Sequence, residues 1–195
     1  MSRAAVYTLA ILLALMLAIR FYPDLSRALR APVGPAPPGA GPGMTPSGID
    51  GPYFSDAGRV ADAIVGAVNH SRRTLEVAMY DLTEPNIAGA IEAAARRGVK
   101  VRIVADEQQS EEPHSEIPYL RGRGVPVRLS RGYRGNRSIM HNKFAVFDAE
   151  LVETGSFNWT TSADAYNFEN AIFIRDPSVV ARYAQEFERL WAQAE

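Results

Sequence analysis

The chain has 195 residues and a formal net charge of −1, with 47% hydrophobic and 22% charged residues. This length accommodates one ordinary domain with an appendage, and the composition is typical of a globular core with a solvated surface. The small net charge excludes a general attraction to polyanions, so any basic site must be local. Cysteine is absent from the sequence, which excludes disulfides, thiol nucleophiles and thiolate metal sites.

The first thirty residues resemble a membrane-targeting segment. Residues 4–19 are almost entirely apolar and follow Arg3, and the flanking residues 20–22 bring the run close to the ~20 residues that span a bilayer. We predict that residues 1–30 form an uncleaved single-pass anchor, and a cleaved signal peptide is the alternative. The lack of cysteine suits export and we predict an extracytoplasmic domain, although the arginines after the run favour the cytoplasm by charge counting alone.

Proline and glycine dominate residues 31–50, which carry no charge before Asp50. Such a segment cannot bury a core, so we predict an extended spacer between the anchor and the downstream domain. The globular domain is then expected to occupy residues 51–195.

Helical and extended patterns alternate along this domain. We predict helices over residues 55–70, 86–98, 113–122 and 177–193, and strands over residues 74–80, 99–106, 125–129, 139–147, 151–156 and 169–176. Alternating strands and helices that are followed by a hairpin predict an α/β fold, a layered sandwich with a mixed β-sheet flanked by helices.

The stretch MHNKFAVFDAELVETGSFNWT, residues 140–160, spaces several polar side chains along the predicted hairpin. Strand alternation directs His141 and Lys143 to one face, and Ser156 and Asn158 to one side if the second strand continues that far. Pairing of the two strands would bring an imidazole, an ammonium, a hydroxyl and an amide together. Such a set suits a phosphodiester, whose transition state accumulates negative charge on its equatorial oxygens. Each residue alone also has an ordinary structural explanation, but their joint spacing favours a site.

The same residues resemble a known family. HNKFAVFDAELVETGSFN matches the HxK(x)4D(x)6GSxN signature of the phospholipase D superfamily at every specified position. The segments VAMYDLTEPNIAGAIEAAARRGVKVRIVAD and ENAIFI are also similar to that superfamily, so the resemblance covers essentially all of residues 51–195. It points to the small single-motif members, the bacterial Nuc-type endonucleases and the cardiolipin hydrolase/Zucchini group.

The resemblance implies a role for each residue of the motif. His141 is expected to be the nucleophile that forms a phosphohistidine, and Lys143 and Asn158 are expected to hold the phosphoryl oxygens with support from Ser156. Asp148 is expected to be a positioning residue that does not itself bind phosphate.

Glu169 is expected from the resemblance to hydrogen-bond the nucleophilic histidine and fix its tautomer, and an ordinary strand-end carboxylate is the alternative. The mechanism also needs a second histidine as general acid, and neither His70 nor His114 lies in a matching motif. We therefore predict a homodimer in which two copies of His141 share one active site, as in the single-motif relatives.

No cofactor or metal is expected, because Lys143 takes the place of the cation that two-metal nucleases use. Members of the Zucchini group can carry a Cys/His zinc element, which this cysteine-free chain cannot build. This departure weakens assignment to the animal branch.

Residues 121–143 contain six arginines and no acidic residue. We predict that Arg131, Arg134 and Arg137 bind phosphate and that Tyr133 stacks on a base, whereas a solvated charged surface is the alternative. The same loop would attract anionic lipid head groups.

These residues favour a Nuc-like endonuclease that cleaves DNA or RNA. A membrane-tethered phospholipase D or cardiolipin-type lipid hydrolase is the second hypothesis, favoured by the predicted anchor. A phosphate-binding module without catalysis is disfavoured, because His141, Lys143 and Asn158 are all retained.

Overall fold

The computed structural model describes residues 48–58, 60–134 and 137–195. The predicted anchor over residues 1–30 and all but the end of the predicted spacer lie outside the described residues and remain predictions. Within that part of the chain, no helix combines the length and apolar character needed to cross a bilayer.

Within the described residues, seven strands form one mixed sheet. They are β1 (Ile49–Phe54), β2 (Thr74–Met79), β3 (Lys100–Asp106), β4 (Val127–Ser130), β5 (Lys143–Phe147), β6 (Leu151–Gly155) and β7 (Asn170–Ile174). Their order across the sheet is β1-β7-β6-β5-β2-β3-β4. Strands β2, β3 and β4 are parallel, and the remaining neighbours are antiparallel.

Helices cover both faces of this sheet. They are α1 (Val60–His70), α2 (Pro85–Arg96), α3 (Glu107–Ser110), α4 (Ile117–Gly122), α5 (Thr161–Ala165) and α6 (Pro177–Gln193), with a 3-10 turn at Ser55–Ala57. A hydrophobic core lies on each face of the sheet, and successive residues of β2 contribute to opposite cores. Val77 packs with α1 and α2 on one face, whereas Ala78 packs with Phe187 and Leu190 of α6 on the other. The predicted mixed sheet flanked by helices is therefore confirmed.

Several elements differ from the sequence-based expectation. The strand β1 was not predicted, since Gly51-Pro52 is typical of a turn; proline is tolerated here because β1 pairs only with β7 at the edge of the sheet. The helix expected from residue 55 begins at Val60, because the Ser55 side chain is engaged with the backbone of Asn167. The short helices α3 and α5 were also missed.

The hairpin is shorter than predicted at both ends. β5 begins at Lys143 and β6 ends at Gly155, so His141, Ser156 and Asn158 lie in loops that adjoin the strands. Residue 140 is kept out of the strand because its backbone N–H donates to the buried Asp106 carboxylate, 2.9 Å away. Strand alternation alone therefore does not orient these three side chains.

Strand directions bring the motif residues other than Asp148 to one edge of the sheet. Strands β1 to β4 and β6 end at this edge, and β5 and β7 begin there. We call it the upper edge; it comprises residues 54–58, 80–84, 107–116, 130–134, 137–142, 156–160 and 165–169. The opposite, lower edge holds the start of β1 and the turn after β5.

Candidate active site

His141 and Lys143 meet on the ring of Tyr80, the residue that follows β2. The imidazole and phenol rings are 4.6 Å apart between centroids at an angle of 62°, and Lys143 Nζ lies 5.0 Å from the same ring centroid. Lys143 Nζ also donates to the backbone oxygen of His141 at 3.1 Å. The backbone N–H of Tyr80 donates to the Asn142 oxygen at 2.9 Å, which fixes the loop between the two side chains. The predicted imidazole and ammonium are therefore neighbours.

Ser156 and Glu169 form a second pair at the same edge. The Ser156 hydroxyl donates to Glu169 Oε2 at 2.5 Å and accepts from the backbone N–H of Asn170 at 3.1 Å. Asn167 donates to Glu169 Oε1 at 3.4 Å. The expected hydrogen bond between Glu169 and His141 is not found among the described residues. Glu169 binds the Ser156 hydroxyl instead.

The segment after β6 crosses the upper edge from β7 to β2. Ser156 N–H and Phe157 N–H both donate to the Asn170 oxygen, and Trp159 N–H donates to the Asp81 oxygen at 3.1 Å. Asn158 lies between these two anchors, and its side-chain oxygen is buried without a hydrogen-bond partner among the described residues. The crossing segment thus holds Asn158 at the upper edge between its backbone anchors at Asn170 and Asp81.

Glycine is required where this crossing begins. A Cβ atom at Gly155 would lie 2.1 Å from the Asn170 backbone oxygen, so any side chain would push β6 away from β7. This close approach explains the glycine of the GSxN element, because the next residue must turn out of the sheet while its neighbours stay paired.

Asp148 lies at the lower edge, at the other end of β5. Its carboxylate accepts the backbone N–H groups of Arg73 and Thr74 at 2.7 and 2.9 Å and that of Arg72 at 2.9 Å. These bonds hold the pKa of Asp148 below its ordinary value, although burial opposes them. The structure does not bring Asp148 to the other motif residues, and its positioning role stays a prediction.

Charge and burial lower the pKa of the two central groups. Partial burial and the positive charge of Lys143 lower the pKa of His141, and the negative charge of Asp106 opposes them. Burial also lowers the pKa of Lys143, against the influence of Glu169 and Asp81. A lowered pKa favours the neutral imidazole, which is the form that can act as a nucleophile.

The predicted substrate-binding residues lie between β4 and β5. Arg131 forms an ion pair with Glu107. Tyr133 is 82% exposed, and the Arg134 guanidinium carbon lies 5.4 Å from the centroid of its ring. Arg137 is also exposed. Arg134 and Arg137 are available to an anion at the upper edge, whereas an anion at Arg131 would compete with Glu107.

The two other histidines do not join this site. His70 ends α1, close to the lower edge, and its Nδ1 lies 2.7 Å from the Gly66 oxygen. His114 lies in an open depression lined by Thr83, Pro85 and Thr161. Within the described residues, no group of three or more His, Asp and Glu side chains could hold a metal ion. One copy of the chain brings one histidine to the motif.

Three contributors to the site were not predicted. Tyr80 and Asp81 follow β2, and Asp106 ends β3 with an exposed fraction of only 1%. Asp106 accepts from the backbone N–H groups of Gln109 and Met140, so it anchors the residue before His141. Their positions in the sequence could have indicated a role in the site, because polar residues at the carboxyl ends of adjacent parallel strands meet at one edge of the sheet.

Comparison with known proteins shows which family the chain belongs to. The family model described as "Cardiolipin synthase, PLD-like domain" matches residues 64–191. A mitochondrial cardiolipin hydrolase of Xenopus laevis is 41% identical over 125 residues, which are 63% of this chain and 57% of that protein. The chain thus spans little more than half the length of such curated relatives.

Solved structures resemble this domain over most of their length. The phospholipase D family member Nuc from Salmonella typhimurium is 29% identical with a TM-score of 0.69, covering 75% of this chain and 95% of that one. NucT from Helicobacter pylori is 27% identical with a TM-score of 0.64, covering 70% and 90%. The matched residues 64–191 include the whole His141–Glu169 region, and the chain belongs to the PLD-like domain family of the phospholipase D superfamily.

Proposed function

We propose that the chain is a metal-independent phosphodiesterase that works through a phosphohistidine on His141. The observation that carries this proposal is the contact of the His141 imidazole and the Lys143 ammonium with one tyrosine ring, beside the Ser156–Glu169 pair. A nucleophile next to a fixed positive charge suits attack on a phosphorus atom whose oxygens become more negative.

The reaction has two steps. An imidazole nitrogen of His141 attacks the phosphorus, and a P–N bond forms as the P–O bond to the leaving alcohol breaks. Water then attacks the phosphohistidine, the P–N bond breaks, and the product phosphate ester leaves. Lys143 and Asn158 hold the phosphoryl oxygens during both steps, and Ser156 and Glu169 keep the neighbouring loop in place.

A proton must reach the leaving oxygen in the first step and leave the water in the second. We assign this role to His141 of the partner subunit in a homodimer whose two upper edges face each other. The observation in favour is that His70 and His114 both lie apart from the motif.

Nucleic acid is the first substrate class that we propose, with cleavage like that of a Nuc-type endonuclease. Arg134 and Arg137 would contact backbone phosphates, and the exposed ring of Tyr133 would stack on a base. Structural similarity to Nuc supports this class.

Phospholipid is the second class, supported by the relatives named mitochondrial cardiolipin hydrolase. In this case residues 1–30 would tether the domain to the membrane that contains its substrate. We propose a single-pass anchor with an extracytoplasmic domain for either class.

The test offers single- and double-stranded DNA, RNA and anionic phospholipids in parallel to the wild-type chain and to its His141→Ala variant, with and without EDTA. We expect one class to be hydrolysed by the wild type in EDTA and by the variant at a rate lower by at least a thousandfold. Loss of activity in EDTA would contradict the metal-free mechanism, and an active His141→Ala variant would contradict the nucleophile.

A further inference from the structure

A cavity of about 470 Å³ opens at the lower edge, at the end of the sheet opposite to His141. It lies where the end of α1 meets the turn between β5 and β6, and its volume is within the ~300–1,000 Å³ that is typical of small-molecule sites. The proposed homodimer brings the two upper edges together, so the partner copy would leave this cavity accessible.

The lining of the cavity has an apolar part and a cationic part. The buried part is apolar and comes from Ala67, Phe147 and Leu151, each of which is at most 5% exposed. The more exposed part is mainly basic and comprises His70, Arg72, Arg73 and Arg175. Small-molecule sites commonly combine an apolar wall with a few polar groups in this way.

Two of the three arginines are not neutralised by the protein itself. Arg73 donates from Nη2 to the Glu150 carboxylate at 2.7 Å and to the Asp148 backbone oxygen at 2.8 Å. The side chains of Arg72 and Arg175 have no hydrogen-bond or ion-pair partner in the part of the chain that the structure describes. Since a guanidinium group stays protonated in proteins, two permanent cations with unused donors line the cavity.

The two carboxylates in the lining already have partners. Asp148 accepts the backbone N–H groups of three consecutive residues that begin at Arg72, and Glu150 forms an ion pair with Arg73. Their negative charges are thus matched by donors of the protein, whereas the charges of the other two arginines are not. The cavity therefore suits an anion better than a cation.

The end of α1 also presents donors to this region. His70 Nδ1 lies 2.7 Å from the Gly66 oxygen, which accepts the ring proton and leaves Nε2 for a ligand. The Ser71 hydroxyl donates to the Ala67 oxygen at 3.1 Å, and Arg97 donates to the next two carbonyl groups. These donors offset the negative end of the helix dipole, which would otherwise disfavour an anion here.

We propose that this lower-edge cavity binds a small molecule that carries a phosphomonoester group. The phosphate would contact Arg72, Arg175 and the free nitrogen of His70, because arginine donors match phosphate oxygens in pairs and two unmatched cations suit a dianion. A bare phosphate ion would fill only a small part of the cavity, so the body of the molecule would lie against Phe147 and Leu151. The site is separate from His141, and the inference does not depend on the proposed function.

Calorimetric titration of the full chain in a neutral detergent tests this binding. The probes are 5′-AMP and glycerol 3-phosphate, and adenosine and glycerol are the matched compounds without phosphate. The chain carries His141→Ala, so that no phosphoryl group is transferred to this residue. We expect one molecule of each phosphorylated probe to bind per chain, at least tenfold more tightly than its unphosphorylated counterpart.

Substitution of the two unmatched arginines should remove most of the affinity. Arg72→Gln and Arg175→Gln should each weaken binding of both phosphorylated probes at least tenfold, because each removes a charged donor. Neither side chain has a partner among the described residues, so both variants should fold, and thermal unfolding checks this. The control is Arg182→Gln, an exposed arginine on α6, which packs on the other face of the sheet, and its binding should be unchanged.

A change of opposite sign comes from Glu150→Gln. This substitution removes a negative charge and frees Arg73 from its ion pair, so binding should become at least threefold tighter. Binding that is lost in Lys143→Ala but unchanged in Arg72→Gln and Arg175→Gln would place the phosphate at the candidate active site and overturn the inference. Equal affinity for 5′-AMP and adenosine, or no binding at millimolar concentrations, would also overturn it.

Discussion

At the scale of single residues, the site depends on keeping one imidazole neutral beside one ammonium. Burial and Lys143 lower the pKa of His141, whereas Asp106 raises it without cancelling them. Tyr80 contacts both side chains and so limits their movement. The lowered pKa of His141 favours the neutral imidazole that the proposed attack requires.

The pH dependence of activity follows from this pKa. The proposed reaction needs one His141 neutral and His141 of the partner subunit protonated, so kcat/KM should follow a bell-shaped curve with macroscopic pKa values. Since the pKa of His141 is lowered, we expect the maximum below the ordinary histidine value of about 6.5. Rates on a soluble phosphodiester between pH 4 and 9 measure this curve, and a maximum above about pH 6.5 would contradict it.

Asp106 is expected to position His141 through the backbone. Asp106→Asn keeps the shape of the side chain but removes the charge that raises the pKa of His141, so the acid limb should move to lower pH. It also weakens the bond to the Met140 N–H, which should lower kcat about tenfold, roughly the worth of one charge-assisted hydrogen bond, with little change in KM.

A nearby substitution provides the control. The Ser110 hydroxyl donates to the Asp106 backbone oxygen at 2.6 Å, so Ser110→Ala disturbs the same place without changing charge. The acid limb should stay in place in Ser110→Ala. An equal displacement in both variants would mean that Asp106 acts only through the fold.

At the scale of secondary-structure elements, the hairpin of β5 and β6 is fixed at both of its ends. Asp148 binds three consecutive N–H groups at the start of β2, and Asp106 binds the residue before His141. The motif aspartate therefore stabilises the register between β2 and β5 about five residues, or roughly 17 Å, away from Lys143.

Glu153 of β6 is a carboxyl group buried in the core. Neither carboxylate oxygen has a hydrogen-bond partner among the described residues, and burial raises the pKa of Glu153 to about 8, against a weak opposing influence of the Trp159 indole. In the unfolded chain its pKa would be about 4.3. The folded state therefore keeps a proton that the unfolded state releases, and stability falls as pH rises from about 4.3 to about 8.

The substitution Glu153→Gln tests this linkage. The amide is neutral at every pH, so the fall in stability over this range should become smaller, and at pH 8 the variant should be more stable by roughly 1–3 kcal/mol. Denaturant unfolding of the wild type and the variant at pH 5 and pH 8 measures the difference. A variant that is less stable than the wild type at pH 8 would show that the carboxylate has an ionic partner in the core.

The sequence was sufficient for the elements whose patterns are strong. Buried strands such as β3 and the amphipathic α6 have clear periodicity. The motif spacing also predicted that His141 and Lys143 would lie together, as the structure shows. The sequence pattern was insufficient to predict elements and contacts that depend on residues distant along the chain. β1 contains Gly51-Pro52 and is ordered by pairing with β7, and Asp106 has a partner 34 positions along the chain.

At the scale of the whole molecule, the chain enters the sheet at the edge opposite the candidate site. β1 begins at Ile49 at the lower edge, whereas His141 lies at the upper edge, about 20 Å away along a six-residue strand. The predicted spacer before β1 could span up to about 60 Å if fully extended. The extended spacer is about three times longer than this distance, so a tethered domain could turn its upper edge towards the same membrane.

The proposed homodimer makes a quantitative prediction for mixed subunits. If each reaction needs two copies of His141, a heterodimer of wild type and His141→Ala has lost one of them and should be inactive. Equal amounts of the two chains are unfolded together and refolded. The mixture should have about a quarter of the activity of the same total amount of wild-type chain, because one dimer in four is fully wild type. Retention of half the activity would show that each copy works alone.

The central claim is that the phosphoryl group is transferred to His141. The most direct measurement is acid-free rapid quenching during turnover of a phosphodiester, followed by mass spectrometry of the intact chain and its peptides. We predict a transient adduct with the mass of the substrate's phosphoryl portion on the peptide that contains His141, absent from His141→Ala. An adduct on another residue, or full turnover by His141→Ala, would contradict it.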